Sequence, residues 1–414
     1  MSAGPFLAID PGTVTVKVAT DRGGHMTFNA PPGGPAAAVR AALATRIVPS
    51  TVCVAAPDAW LTGTKNGAAS QEDVRHECED VAGTGQVGWT GQLAAVSAFA
   101  AATRGPGRYL ICDVGGTGVR AGVFTVTGAT VRIETTHAES GGGWRDFDAA
   151  VRAGLTTGQE SALPANWYEQ AVTGRRAARA VHVLEEALSS GRDDELSNWV
   201  YRIADTDVSV ELSARLVIES FEPNERRLRA VVAAVRGDRP PDHVVLTGGL
   251  GWLPLTARTA AIATGIATAD PGTMGAGVPG DASVVLGPDA AAGGALLFAR
   301  GDVSLEPPAG RGPVAVPVHR FRDGLLEEVS VTLPWTESFA TFPGDPPTVD
   351  SEELELVVGD KPRVAQLPGL VAGPHLIGLR PAWPGPGVLI VRPTVTEGKP
   401  HIVPLADLVT RAAR

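Results

Sequence analysis

Residues 7–19 read LAIDPGTVTVKVA, and residues 109–124 read YLICDVGGTGVRAGVF. In each stretch, apolar and polar residues alternate on both sides of a glycine-containing turn, which predicts two strands joined as a hairpin. A glycine in such a turn lets the backbone approach a phosphate group, and the turn's N–H groups and threonine hydroxyl can donate hydrogen bonds to its oxygens. From the end of the first strand, the carboxylate of Asp10 would reach a hydrated magnesium ion.

A third glycine turn follows a predicted buried strand. Residues 243–254 read HVVLTGGLGWLP, so this strand ends at Gly248 and Gly249, where a nucleoside could pack against bare backbone. The pattern D-x-G-T alone occurs in many ordinary hairpins. Because the pattern recurs at Asp113 and the third turn follows in order, the sequence favours a phosphate chain and metal clamped between two related lobes.

The composition is typical of an acidic globular protein. Of 414 residues, 44% are apolar and 19% are charged, and the formal net charge is −10. This charge argues against nucleic acid as the main partner, because phosphate backbones bind clustered lysines and arginines. The sequence has no apolar run of membrane-spanning length and no signal segment, so we expect a cytoplasmic protein that does not enter a membrane. The three cysteines are scattered, and those in strand-like runs are expected to be buried, reduced thiols.

The pattern of helices and strands changes along the chain. Strands alternate with helices up to about residue 301, and from residue 314 only short strands with regular turn signals follow. The pattern is mainly helical from about 147 to 236. Other helices are predicted over about 34–46, 68–80, 92–103 and 289–299.

This change predicts an α/β nucleotide-binding domain followed by a small all-β sandwich. The expected boundaries are 1–301 for the first domain, 302–313 for a linker and 314–414 for the sandwich. Within the first domain, lobe one would take residues 1–107 with 290–301, and lobe two would take 108–289.

Three further stretches carry a resemblance to one family. Residues 52–61 (VCVAAPDAWL), 140–151 (SGGGWRDFDAAV) and 287–299 (GPDAAAGGALLFA) look like segments of the DnaK-type seventy-kilodalton heat-shock proteins. The resemblance implies a two-lobed, actin-like (ribonuclease H-like) domain that binds ATP or ADP with Mg²⁺, followed by a β-domain that binds a peptide or protein partner. The family's helical lid is not expected, and most of the subdomain that normally extends lobe one is missing.

The resemblance also assigns site residues. Asp10 and Asp113 would be the catalytic carboxylates and would hold the metal through water. The nucleotide would contact residues of the three glycine turns and of one helix, namely Gly12, Thr13, Gly115, Gly116, Thr117, Ser189, Gly248, Gly249 and Trp252.

Several positions depart from the family's pattern. The missing subdomain normally brings a lysine to the γ-phosphate, and Gln92 ends the stretch where a glutamate normally approaches the metal. Arg120 takes an acidic position after the second turn, and Trp252 replaces an arginine. Glu185 and Glu186 take basic positions near the adenine. Because phosphoryl transfer depends on positioning and charge neutralisation, these changes predict weak or absent ATPase activity.

Two functions remain open from the sequence. One is an atypical DnaK-like chaperone or partner-binding protein with a weakened or inactive ATPase site, in which the β-domain binds the partner. The alternative is a small-molecule kinase or other transferase on the same fold, which needs an aspartate as base. Asp113 is the strongest candidate for that base, with Asp146 and Asp148 in reserve, although their position after three glycines is better explained by helix capping.

Overall fold

The computed structural model describes residues 6–44, 49, 51–61, 64–82, 87–155, 163, 200–203, 210–251, 253–265, 283–287, 289–306, 312–322, 325–335, 339–342, 346–382, 385–394 and 399–410. The chain divides into two compact units. Unit one comprises Met1–Pro11, Thr15–Gln92 and Ala295–Arg414, and unit two comprises Gly12–Val14 and Leu93–Gly294. Helices and sheets occur together, which confirms the predicted α/β class.

The N-terminal sheet of unit one is built around the first hairpin. Its strands are β1 (Phe6–Pro11), β2 (Thr15–Thr20), β3 (His25–Asn29), β4 (Thr51–Ala56) and β5 (Val87–Gly91). They lie in the order β3-β2-β1-β4-β5. β1 pairs antiparallel with β2 and parallel with β4, and β4 pairs parallel with β5. Helices α1 (Gly34–Leu43) and α2 (Lys65–Ala82) follow β3 and β4 in the chain.

The sheet of unit two has the same topology. Its strands are β6 (Gly107–Val114), β7 (Gly118–Thr127), β8 (Thr130–Ser140), β11 (His243–Thr247) and β12 (Ser283–Val285), in the order β12-β11-β6-β7-β8. β6 pairs antiparallel with β7 and parallel with β11, and β11 pairs parallel with β12. Strands β9 (Val200–Ile203) and β10 (Val210–Ser213) form a separate antiparallel pair. Strand order and direction therefore repeat between the two units.

Two of the remaining helices begin or end at residues that are typical of helix ends. The remaining helices are α3 (Gln92–Arg104), α4 (Trp144–Ala153), α5 (Ala214–Val235), α6 (Pro254–Thr264) and α7 (Ala290–Arg300). The hydroxyl of Ser213 accepts a 3.1 Å hydrogen bond from the Leu216 N–H and caps α5. α6 begins at a proline and ends at Gly265, whose φ of 70° is the left-handed conformation that glycine favours.

The C-terminal strands form two sheets that share one core. A short strand, β13 (Ser304–Leu305), precedes them in the chain. The strands of the two sheets are β14 (Val314–Arg322), β15 (Leu325–Leu333), β16 (Thr348–Val349), β17 (Glu353–Val358), β18 (Lys361–Gln366), β19 (Gly373–Ala382), β20 (Gly385–Pro393), β21 (His401–Pro404) and β22 (Val409–Thr410). One sheet has the order β15-β14-β17-β18-β22, and the other has the order β16-β19-β20-β21. Val316 and Leu356 of the first sheet lie in one apolar cluster with Ile377 and Leu389 of the second. Such a shared core is typical of a sandwich.

Within unit one, α2 packs against the second of these sheets. Ala68 lies in an apolar cluster with Val388 and Ile390 of β20. Beside this cluster, Glu72 of α2 forms an ion pair with Arg380 of β19, and the two side chains are 6% and 4% exposed. Burial and the nearby Arg392 lower the pKa of Arg380 to about 9, so its guanidinium is still charged at neutral pH. Breaking a buried pair of this kind strands a charge, so this contact fixes the sheet on the helix.

The structure agrees with most predicted elements and moves some of their ends. The helix predicted over 68–80 covers Lys65–Ala82, and the helix predicted over 289–299 covers Ala290–Arg300. The helix predicted over 34–46 ends at Leu43. Much of the segment predicted to be mainly helical, from 156 to 162 and from 164 to 199, lies outside the described residues. No helix among the described ranges is both long and apolar enough to cross a membrane.

Candidate functional site

The first hairpin carboxylate is buried and has two polar partners. Asp10, near the end of β1, is 4% exposed. Lys17 of β2 lies directly opposite it in the antiparallel register, and the Lys17 Nζ is 3.4 Å from the Asp10 Oδ2. The side-chain amide of Gln92 donates a hydrogen bond to the other carboxylate oxygen, Oδ1. Gln92, the last residue of the stretch where the resemblance implies a metal-side glutamate, therefore binds Asp10 itself.

The second hairpin repeats this arrangement in unit two. Asp113 of β6 is 5% exposed and lies opposite Arg120 of β7 in the register. The Arg120 Nη2 donates to the Asp113 Oδ2 in a salt bridge. Lys17 follows Asp10 by seven positions, and Arg120 follows Asp113 by seven positions. Both carboxylates are thus bound to a cationic side chain of their own hairpin.

The second glycine turn is tied to α4 by main-chain hydrogen bonds. The N–H groups of Trp144 and Arg145 donate to the carbonyls of Gly115 and Gly116 at 2.8 and 3.0 Å. In a trans peptide, a carbonyl and the N–H of the following residue point in opposite directions. Because these carbonyls face α4, the N–H groups of Gly116 and Thr117 face away from it. Such successive N–H groups are the donors of an anion-binding turn.

The first turn, Gly12–Val14, belongs to unit two and contacts the second turn. The hydroxyl oxygens of Thr13 and Thr117 are 3.5 Å apart, and the Arg145 Nη2 donates a 3.0 Å hydrogen bond to the Thr13 carbonyl. A methyl group on Gly116 would lie 2.5 Å from the Val14 Cγ2 and 2.6 Å from the Thr13 Oγ1. The structure thus brings Thr13, Gly116 and Thr117 of the predicted set together, and only a glycine fits at 116 without displacing a side chain.

The third glycine turn packs behind Asp113. Gly248 has a φ of 87°, and a methyl group there would clash with the Asp113 carboxylate and would lie 2.5 Å from the Val114 carbonyl oxygen. The Leu250 N–H donates a 3.1 Å hydrogen bond to the same carbonyl. Gly249 has more room, since its nearest neighbour is the Trp144 Cβ at 4.0 Å. Gly248 therefore lies close to the second carboxylate, and its glycine identity has a steric cause.

The residue before Asp113 is a thiol in a fully buried position. Cys112 has 0% exposure, and its burial, together with the charge of Asp113, raises its pKa to about 12. A thiol with such a pKa is protonated at neutral pH and is a poor nucleophile. Cys112 is therefore a core residue of β6.

Two other predicted aspartates have structural partners at α4. The Asp146 Oδ2 accepts a 2.6 Å hydrogen bond from the Gly142 N–H at the start of the helix, and Asp148 forms an ion pair with Arg152 one turn later. Helix capping by these aspartates is therefore wrong in detail, because the N-cap is Gly143 without a side-chain cap, and Asp146 instead binds the glycine before it. Ser189, Trp252, Glu185 and Glu186 lie outside the described residues.

A magnesium ion does not fit this set of side chains well. Asp10 and Asp113 are bound to cationic groups, and a divalent cation needs free carboxylate or carbonyl oxygens. Within the described ranges, no three His, Cys, Asp or Glu side chains cluster where they could hold a metal ion. The turn of unit two, in contrast, offers N–H groups and two arginines, Arg120 and Arg145, which suit an anion.

No protein-family model matches the chain, and no curated protein is similar enough to count as a relative. The site is therefore interpreted from its own geometry. Sequence reasoning noted Arg120 but missed Lys17 as a partner of Asp10. The seven-residue spacing between Asp10 and Lys17 could have indicated this pair. A hairpin whose turn lies between two such residues places them opposite each other on one face of the sheet.

Proposed function

We propose that this chain is an atypical, DnaK-like nucleotide-binding protein with weak or absent ATP hydrolysis, in which a C-terminal β-domain binds a peptide or protein partner. One observation carries the proposal. Each hairpin has a glycine turn suited to a phosphate, and its carboxylate is bound to a base of the same hairpin, Lys17 for Asp10 and Arg120 for Asp113.

The repeated topology supports the actin-like part of the proposal. The two sheets have the strand orders β3-β2-β1-β4-β5 and β8-β7-β6-β11-β12, with an antiparallel hairpin followed by parallel strands in both. A fold with two equivalent halves, each beginning with a glycine hairpin, is the one that the sequence resemblance implies. A single sheet with a glycine hairpin would support only an ordinary α/β domain.

The contacts of the second turn support phosphate binding. The carbonyls of Gly115 and Gly116 are engaged with α4, so the N–H groups of the following residues point away from it, and the hydroxyl oxygens of Thr13 and Thr117 lie 3.5 Å apart. Backbone N–H groups and hydroxyls arranged in this way recognise phosphate oxygens without any base-specific contact. The proposed ligand is therefore ATP or ADP, held mainly by its phosphates.

The ion pairs support slow hydrolysis. Phosphoryl transfer needs a metal that bridges the phosphate oxygens and a positioned attacking water. If Asp10 and Asp113 remain paired with Lys17 and Arg120, neither carboxylate is available to hold a hydrated metal or to orient water. The same contacts weigh against the kinase alternative, because the proposed base Asp113 is bound to a guanidinium and Asp146 and Asp148 serve α4.

The shape of the C-terminal sandwich supports partner binding. β15 is a nine-residue strand at the end of its sheet, and Leu325, Glu327 and Glu328 on it are exposed. A long terminal strand can pair with an added extended segment through main-chain hydrogen bonds. Its exposed carboxylates, of which Glu328 lies 3.6 Å from the His319 Nε2 of β14, favour a segment that carries lysine or arginine. The proposed partner is therefore an extended, basic peptide segment.

Calorimetric titration with ATP, followed by measurement of phosphate release, tests the nucleotide half of the proposal. In an active ATPase, Asp10→Asn would lower turnover by about 100-fold or more, since it removes a charge that stabilises the transition state. Here we expect ATP to bind and the wild-type turnover to be within about threefold of the variant's. A wild-type turnover about a hundred times that of Asp10→Asn would contradict weak hydrolysis. The absence of binding heat with both ATP and ADP would contradict nucleotide binding.

The partner half is tested in the same samples with a fluorescent peptide of alternating lysine and valine. Fluorescence anisotropy should show binding to the full chain, weakened about tenfold by Glu327→Lys with Glu328→Lys. The control is Glu355→Lys on β17, an exposed carboxylate away from the terminal strand, which should leave affinity unchanged. Equal binding by all three proteins would rule out β15 as the docking strand.

A further inference from the structure

An aspartate paired with a basic side chain of the same hairpin occurs in two sheets of the same topology. Asp10 and Lys17 are opposite each other in the β1–β2 register, and Asp113 and Arg120 are opposite each other in the β6–β7 register. In both pairs the acid is the more buried partner, with 5% and 7% side-chain exposure against 14% and 22% for the bases. A seven-residue spacing that recurs at equivalent places indicates a shared feature of the two hairpins.

The base in each pair takes the electrostatic role that a metal ion normally has beside such carboxylates. A buried aspartate is stable only when its charge is compensated. Arg120 supplies that charge with a planar guanidinium, which is also able to bind phosphate oxygens through several N–H donors. A divalent cation brought to Asp113 would have to displace this guanidinium or lie close to a like charge.

The position of Arg120 places this charge at the anion-binding turn. Its Nη2 lies 3.7 Å from the point that a methyl group on Gly115 would occupy, and the Asp113 Oδ2 and the Gly118 carbonyl oxygen lie 3.6 Å from the same point. Arg145, at the start of α4, is bound to the carbonyl of Thr13 in the neighbouring turn. The turn formed by residues 115–117 therefore has main-chain donors and the Arg120–Asp113 pair beside Gly115, and Arg145 binds the neighbouring turn.

We propose that the second turn binds the phosphates of a nucleoside diphosphate or triphosphate without a magnesium ion, and that Arg120 supplies the positive charge. This inference rests on the proposed nucleotide binding and deepens it by naming the ionic form of the ligand. Lys17 compensates Asp10 in unit one in the same way, so neither hairpin carboxylate needs a metal. Metal-free nucleotide is then the ligand that matches the site.

The test is calorimetry of the full chain with ADP and with ATP, in EDTA and in excess Mg²⁺. We expect wild-type dissociation constants that differ by less than about threefold between the two conditions. Arg120→Asp, which restores an acid at this position, should weaken binding in EDTA by about tenfold or more, and Mg²⁺ should recover at least part of that loss. Arg120→Gln keeps a neutral hydrogen-bond donor beside Asp113 and should weaken binding without creating metal dependence.

The matched control is Arg132→Asp, the same charge change in the same sheet. Arg132 on β8 lies opposite Thr125, at the end of the hairpin away from the turn, and its side chain is 52% exposed. The Arg132→Asp variant should bind ADP with the wild-type dissociation constant, both in EDTA and in excess Mg²⁺. Circular dichroism shows whether each variant is folded. If Arg120→Asp is not folded, the affinity of Arg120→Gln in EDTA tests the role of Arg120.

The outcomes separate the two proposals. Wild-type binding that appears only with Mg²⁺ would overturn metal-free binding and leave nucleotide binding intact. Unchanged affinity in EDTA for both Arg120 variants would also overturn the role of Arg120. No binding of ADP or ATP in either condition would overturn both proposals together.

Discussion

The two glycine hairpins have the same ion pair but different surroundings. In β6–β7, the turn is bonded to α4 through Gly115 and Gly116, and Gly248 packs against Asp113. In β1–β2, Asp10 has a second side-chain partner in Gln92. Both hairpins pair a buried aspartate with a basic side chain, whereas their other contacts differ. The shared requirement of the two hairpins is therefore that the charge of the aspartate is compensated. The supporting contacts define what each turn can bind.

The bases also differ in chemistry. Lys17 carries a compact ammonium group on a flexible stem, whereas Arg120 carries a planar guanidinium with several N–H donors in a fixed arrangement. The guanidinium of the second hairpin can therefore donate to Asp113 and to a second oxygen at the same time. This difference agrees with a phosphate site centred on the second turn.

The largest expected effect comes from detaching the second turn from α4. Gly143→Ala places a methyl group 2.6 Å from the Gly115 carbonyl oxygen and 2.7 Å from the Gly118 nitrogen, both of them backbone atoms. Overpacking against backbone should lower the free energy of unfolding of unit two by about 3 kcal/mol. Urea denaturation measures this loss.

The matched control for this change is Gly249→Ala. The nearest atom to its added methyl group is the Trp144 Cβ at 4.0 Å, so its effect should stay within about 1 kcal/mol. If the two variants unfold at the same urea concentration, the contact between α4 and the turn is not the rigid support described above.

A second prediction compares the two acids directly. Asp113→Asn leaves the Arg120 guanidinium without its carboxylate and should cost about 2 kcal/mol. Asp10→Asn should cost about 1 kcal/mol, because the Lys17 Nζ lies 3.4 Å from the Asp10 Oδ2, a looser contact than the direct hydrogen bond from Arg120 to Asp113. Arg120→Gln in the Asp113→Asn background should recover much of the loss, which a double-mutant cycle in urea measures. Equal losses for the two acids, or no recovery, would contradict a distinct role for the guanidinium.

Much of the architecture follows from local sequence. The glycine hairpins, the strand His243–Thr247 and α3 are found where alternation and turn residues predict them. These elements depend on short-range patterns of buried and exposed residues, which a sequence displays directly. The acid–base pairs were less visible, because the opposite positions in a hairpin depend on the length of the turn between them.

The packing of α2 on the C-terminal sheet could not be predicted in this way. The Arg380 Nη1 donates a 3.4 Å hydrogen bond to the Gln71 Oε1 across a sequence separation of 309 residues, and no local pattern joins the two residues. Glu72 and Arg75 look like the solvated face of a helix in the sequence, yet they are 6% and 4% exposed. Long charged side chains are read as surface by default, so a buried ionic contact between distant segments is the kind of feature that sequence reasoning misses.

The smallest expected effect concerns the residue before each acid, which is Ile9 in the first hairpin and Cys112 in the second. The pKa of the Cys112 thiol is raised from 9.0 to about 12. Between these pH values, the thiol is protonated in the native state and ionised in the unfolded chain. The native state then binds more protons between these values, and stability falls as the pH rises through this window. At pH 9 the loss is about 0.4 kcal/mol, and at pH 7 it is negligible.

Cys112→Val gives the second hairpin an apolar residue like Ile9 and removes the ionisable group. Urea denaturation of both proteins at pH 7, 8 and 9 should therefore show a difference in unfolding free energy that shifts by about 0.4 kcal/mol in favour of the variant as the pH rises. Since every other titrating group is common to the two proteins, their contributions cancel in this difference. A constant difference over the three pH values would mean that the thiol ionises alike in both states, and that the core around Asp113 is more accessible to water than its burial indicates.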